Sequence, residues 1–170
     1  MKKYFLLSAL SVFSLGALQS CVDDRIDDDP YYQDQDTYAV MRDVNGTLSA
    51  GNNYTISQNI NIPSTDVVLV YRNINSNSTS GIVWQQIPKT EYLAGGRELD
   101  YNFLFNTEAV EIYSEANFDQ TTMTPAEAGQ FLQNQRFRIV LVPASQGKIA
   151  GLDYSDYNAV VKHFNLKEPK

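Results

Sequence analysis

The chain has 170 residues, 43% of them hydrophobic and 19% charged, with one Cys, one His and a net charge of −7. A single Cys excludes an internal disulfide and a C-x-x-C site. The acidic balance argues against nucleic acid, whose backbone is held by clustered Lys and Arg. From the N-terminus, Lys2 and Lys3 precede an apolar and small-residue run from Phe5 to Leu18, and Leu18-Gln19-Ser20 leads into the sole Cys21. A charged start, a short apolar stretch and small residues before a cut define a signal peptide over 1–20. The stretch falls short of the ~20 apolar residues of a transmembrane helix, and Ser8, Ser11, Ser14, Gly16 and Gln19 interrupt it.

Leu18-Gln19-Ser20-Cys21 resembles the lipobox of bacterial lipoproteins, with Gln19 an unusual middle residue. That resemblance implies a cut before Cys21, acylation of its thiol by chains such as palmitate, and acylation of the new amino group. One acyl chain holds a protein marginally and two or more hold it stably. The expectation is therefore a protein anchored to a membrane through lipid on Cys21. The competing reading is a secreted protein whose Cys falls there by chance.

Residues 21–36 read as an acidic, disordered tether, with seven Asp, Pro30 and few large aliphatics. Such a stretch buries too little apolar area to offset its ordering entropy. Without Lys2 and Lys3 the remaining chain carries −9, of which −6 lies in 22–36 and −3 in 37–170. The acidity is thus a property of the tether. The run Asp23, Asp24, Asp27, Asp28 and Asp29 has three readings. It is a solvated spacer, or a weak Ca²⁺ site without the D-x-D-x-D-G spacing, or an address. Acidic residues just after an acylated Cys resemble the surface-export signal of Bacteroidota lipoproteins, which implies an outer membrane, surface-exposed location.

The remaining 37–170 is one domain by length, and its pattern is mostly period two. Tyr54 and Ile56 alternate with Thr55 and Ser57. Asp66-Val-Val-Leu-Val-Tyr-Arg72 is a continuous apolar run, as for a central strand covered on both faces. Asn73 to Gly81 is a loop. Ile82 to Ile87 carries Trp84 and stops at Pro88. Glu91 to Leu93, Gly95-Gly96 and Glu98 to Phe105 read as a hairpin, with Tyr101, Phe103 and Phe105 on one face. Val110 and Ile112 alternate with Glu111 and Tyr113. Thr124-Pro125-Ala126-Glu127 is a capping box that opens a short helix. Phe137-Arg-Ile-Val-Leu-Val142 is a second doubly covered strand, with Arg138 its exception. Ser155 is the expected cap of a helix whose Tyr157, Val161 and Phe164 share one side. About eight short strands with little helix predict a β-sandwich, immunoglobulin-like in the first instance. Val68, Leu69, Val70, Ile139, Val140 and Leu141 are the expected core.

Several segments together resemble small Bacteroidota lipoproteins of unknown function. They are Asp66–Arg72, Trp84 with Ile87-Pro88, Tyr101–Phe105, Val110–Tyr113, Gln135–Pro143 and Asp156–Phe164. The resemblance covers most of 37–170 and implies no catalytic residues.

No reading of the residues points to catalysis. His163 is a packing or surface residue rather than a ligand, because metal sites need several converging donors. No G-x-S-x-G elbow marks a nucleophilic Ser. Asp153 with Asp156, or Glu108 with Glu111, have the chemistry of a glycosidase pair, but a helix cap or a solvated strand accounts for them. Gly95-Gly96 does not begin G-x-G-x-x-G, so no nicotinamide or flavin cofactor is implied. Asn45-Gly-Thr47, Asn53-Tyr-Thr55 and Asn77-Ser-Thr79 match the N-glycosylation pattern but carry little meaning in a bacterial lipoprotein. Trp84, Tyr92 and Tyr101 are candidates to stack on sugar faces, with core packing as the competing role. The leading expectation is a non-enzymatic envelope lipoprotein, a binding or structural module with a protein or glycan partner. A glycan-binding accessory comes second and an enzyme of unknown class third.

Overall fold

The computed structural model describes residues 38–75, 81–146 and 151–169. The expected signal peptide over 1–20, Cys21 and the acidic run all lie outside the described residues.

The described part is a β-sandwich of two four-stranded antiparallel sheets. Its strands are β1 (Val40–Gly46), β2 (Thr55–Asn59), β3 (Val67–Asn73), β4 (Trp84–Gln86), β5 (Lys89–Leu93), β6 (Arg97–Phe105), β7 (Ala109–Ala116) and β8 (Gln135–Val142). One sheet has the order β1-β8-β3-β4 and the other β2-β7-β6-β5. Two short helices, α1 (Pro125–Phe131) and α2 (Tyr157–His163), complete the structure. Among the described residues no helix is long and apolar enough to cross a membrane.

The sandwich is as expected, but its strand order is not the immunoglobulin one. In that fold the first strand pairs with the second. Here β1 pairs with β8, the last strand, over Val40↔Leu141 to Gly46↔Gln135. The chain crosses between sheets at β1→β2, β2→β3, β4→β5 and β7→β8, and local hairpins join β3 to β4, β5 to β6 and β6 to β7. Hydrophobic alternation fixes which face a residue occupies and leaves its neighbouring strand open, so the pattern could not separate the two orders.

The two apolar runs are the two inner strands β3 and β8, and both are covered on both faces. Val68, Val70, Ile139 and Leu141 point into the space between the sheets, with Ile56, Leu99, Val110 and Ile112 opposite. Leu69, Tyr71, Val140 and Val142 point the other way, under Val160, Phe164 and Leu166 of α2 and the segment after it. All six expected core residues are buried. The second sheet has no such cover among the described residues. Its outward side chains, Glu98, Leu104, Glu111 and Glu115 among them, are exposed.

Local signals explain the ends of the elements. Gly95 and Gly96 both have positive φ, at 76° and 73°, in the tight turn between β5 and β6, a region that glycine enters without steric cost. Thr124 and Glu127 form the expected capping box: Thr124 Oγ1 accepts from Glu127 N at 3.3 Å, and Thr124 N donates to the Glu127 carboxylate at 2.9 Å. The cap of α2 differs from expectation. Asp156 accepts from the backbone of Asn158 and Ala159 at 3.0 and 3.1 Å. Ser155 instead donates its N–H and hydroxyl to Asp153, at 2.9 and 2.7 Å. Ser155 is committed to Asp153, and the Asp156 carboxylate one residue later accepts from the two open N–H groups, its charge favoured at a helix N-terminus.

At one end of the core, Arg72 closes the space between the sheets. It donates to Gln135 Oε1 at 2.9 Å, to the Gln130 carbonyl at 3.2 Å and to Glu91 at 3.1 Å, and lies 4.2 Å above the Tyr101 ring. At the other end lie the start of β1, the end of β8 and the start of β3, set by the pairs Val40↔Leu141 and Val67↔Val142. The chain leads into the domain there, at Tyr38.

Candidate functional site

The outer face of the first sheet carries a polar cluster built on Arg138. This residue sits in the middle strand β8, with its side chain 1% exposed. Its register partner on β1 is Asp43. Arg138 Nε donates to Asp43 Oδ1 at 2.6 Å and Nη2 to Oδ2 at 2.9 Å, a two-pronged pair. Nη1 reaches Tyr157 Oη and, at 2.6 Å, Glu168 Oε2. The guanidinium plane lies 4.3 Å from the Trp84 ring, a cation–π contact. Arg136 donates to the same Asp43 carboxylate at 3.1 Å. Burial works against the Asp43 carboxylate, yet the hydrogen bonds and charges of Arg138 and Arg136 outweigh it and hold its pKa below the ordinary value. Burial likewise opposes the Arg138 charge, and Asp43 and Tyr157 outweigh it in turn, so its pKa is raised. Every charged group of this network therefore has a partner of opposite charge.

Beside this cluster opens a cavity of about 950 Å³. It lies between the start of β1, the turn after β8 and the segment that follows α2. Its floor is apolar: Ala39, Met41 and Phe164 are buried. Its rim is polar and exposed, with Tyr38, Ser145, His163, Lys167 and Glu168. Glu168 turns its carboxylate to Arg138, so its charge is matched within the protein. Among the described residues no ion pair involves Lys167. His163 packs edge-on against Phe164, with ring centroids 4.9 Å apart. The volume lies at the upper end of the ~300–1,000 Å³ common for small-molecule sites.

The sequence-derived site residues are dispersed. Trp84 lies on the outer face of the first sheet under Arg138 and 5.8 Å from the Tyr157 ring. Tyr92 is on β5, 78% exposed, on the outer face of the other sheet. Tyr101 is fully buried between the sheets, its hydroxyl donating to the Phe131 carbonyl at 2.6 Å. The three rings therefore share no surface, and the sugar-stacking platform drawn from them does not form. The reason is parity: Tyr101 pairs opposite Lys89 and Tyr92 opposite Glu98, which puts the two Tyr on opposite faces of one sheet. Cys21, the expected lipidation site, and Asp23, Asp24, Asp27, Asp28 and Asp29, the expected export address, lie outside the described residues.

The carboxylate pairs also have local roles. Asp153 accepts from Ser155, whose two hydrogen bonds hold its pKa below the ordinary value, and Asp156 caps α2. Glu111 faces outward on β7, and Glu108 sits in the turn before it. Among the described residues the His163 side chain has no hydrogen bond, and no group of three or more His, Cys, Asp or Glu is placed to hold a metal ion. Reasoning from sequence missed Asp43, Met41, Lys167 and Glu168. The one available signal was Arg138, a charge inside an otherwise apolar run, which demands a buried partner.

Comparison with protein-family models, with curated proteins and with solved structures gives no match for this chain.

Proposed function

We propose that this chain is a non-enzymatic, lipid-anchored module of a bacterial cell envelope, and that it binds a ligand in the cavity between β1 and the segment after α2. The observation that carries the reading is the cavity itself. An apolar floor and a polar rim are the usual make-up of a binding site, and the neighbouring ionic cluster is neutralised internally rather than poised for proton transfer. The anchoring part rests on Leu18-Gln19-Ser20-Cys21, and the surface location on the Asp run that follows.

The test is photo-crosslinking in intact cells, with p-benzoylphenylalanine placed at Tyr38 on the cavity rim and, as control, at Tyr92 on the far sheet. The expected result is a discrete adduct from Tyr38 and none from Tyr92. Equal or absent adducts at the two positions would remove the binding reading.

A further inference from the structure

The make-up of the cavity narrows what it holds. We infer that its ligand is a single-chain amphiphile with an anionic head, of the fatty-acid type; this rests on the binding reading above and names its ligand class.

The floor sets the first constraint. Ala39, Met41 and Phe164 offer methyl, thioether and ring surface, and among the described residues no buried side-chain polar atom lacks a hydrogen-bond partner. A sugar or a peptide would bring hydroxyls or amides to this floor and leave them unpaired, which is unfavourable. A hydrocarbon chain brings none. Met adapts its shape to a flexible apolar guest. The rim then selects the head. Glu168 is engaged by Arg138 at 2.6 Å, which leaves Lys167 and His163 as the basic groups at the mouth among the described residues. A carboxylate or phosphate head meets Lys167 there, while a cationic head meets it as a like charge.

Location agrees with the chemistry. The chain reaches the cavity rim at Tyr38 after sixteen residues from Cys21. Fully extended, such a segment spans at most about 55 Å. A domain tethered at Cys21 by lipid thus keeps this mouth within reach of a bilayer, where acyl chains are abundant.

The test uses the full chain carrying Cys21→Ser, so that no acyl anchor competes, titrated at neutral pH with decanoate, dodecanoate and tetradecanoate and with dodecanol as the uncharged analogue. Affinity is expected to rise about four-fold per methylene buried. Lys167→Gln is expected to weaken dodecanoate about two- to five-fold, the range of an exposed ion pair, and to leave dodecanol unchanged. Ala39→Trp, which fills the floor, is expected to abolish binding. If that variant does not fold, the chain-length series and the exposed Lys167→Gln still decide the matter. An affinity that does not depend on chain length, or an equal response of acid and alcohol to Lys167→Gln, overturns the assignment. If the amphiphiles fail while Tyr38 still yields its adduct, the ligand class falls and the binding reading stands. If both fail, both fall.

Discussion

Arg138 and Asp43 are register partners on adjacent strands, and they meet as a two-pronged ion pair, with Nε–Oδ1 at 2.6 Å and Nη2–Oδ2 at 2.9 Å. Arg138 is the largest of the fully buried side chains. It holds the edge strand β1 to the inner strand β8 on the helix-covered side of the sheet. Removing the carboxylate leaves a buried cation without its main partner. Asp43→Asn is therefore expected to cost about 3–5 kcal/mol, the range for breaking one side of a buried pair. Replacing both partners, Asp43→Leu with Arg138→Met, is expected to recover much of that loss. Urea unfolding of the three proteins measures both effects. A loss below ~0.5 kcal/mol for Asp43→Asn, as for an ordinary surface change, would show that the pair is ornamental.

Leu141 tests the core in the same way. It lies on β8, 2% exposed, and faces the second sheet. Leu141→Ala removes buried methyl groups and leaves a void, and is expected to cost about 2–5 kcal/mol. A change within ~0.5 kcal/mol would mean that β8 is not central to the sandwich.

Acid should unfold the protein, and base should leave it folded until the phenols titrate. The hydrogen bond of Arg97 and the backbone N–H of Thr124 lower Glu127 to about 2 from 4.5. Asp43 is also held below its ordinary 3.8. A carboxyl depressed in the folded state lends stability that is complete above its unfolded pKa and lost as pH falls through the folded one. Stability is expected to be level from pH ~7 to ~5 and to decline from ~4.5 toward ~2. Burial raises the phenols of Tyr71 and Tyr101 above 10, so a second decline is expected above pH ~10, where the unfolded chain ionises first. Thermal melts across pH check both limbs. Glu127→Gln should flatten the acid limb; an unchanged slope would remove Glu127 from the account.

The anchor is tested apart from the domain. Cells fed an alkyne fatty acid should label the wild-type protein and not Cys21→Ser. Changing Asp23, Asp24, Asp27, Asp28 and Asp29 to Asn should leave labelling intact and move the protein from a protease-accessible surface to a protected leaflet. Equal labelling of wild type and Cys21→Ser would end the lipoprotein reading. Equal surface cleavage of the Asn variant would reduce the Asp run to a spacer.

Much of the fold was legible because burial writes itself into sequence. Asp66–Arg72 and Phe137–Val142 show no alternation, since one face meets the other sheet and the reverse face meets α2. The hairpin at Gly95-Gly96 and the cap at Thr124 carry local chemical signatures. Val40–Gly46 carries none: Arg42, Asp43 and Asn45 interrupt its apolar residues, and only its pairing with β8 makes it a strand. The cavity was hidden for the same reason. Its walls come from residues 38–41, 145–146 and 163–169, segments brought together by long-range pairing. Tyr92 and Tyr101 fall on opposite faces because period-two parity runs from β5 round the turn into β6, a relation that needs the register of the hairpin as well as the alternation.

The place of β8 in its sheet also sets an order of events in time. Asp43 and Arg138, joined across β1 and β8, are 95 positions apart in the chain. Until the segment from Gln135 to Val142 has been synthesised, β1 and β3 have no strand between them, and half of the sandwich cannot close. Pairing over such separations is slow, because the entropy of closing the loop is lost before the contacts form. A nascent chain of this topology stays open until Gln135–Val142 has been made. A chain ending before Gln135 should accordingly show neither a cooperative melt nor protection from protease.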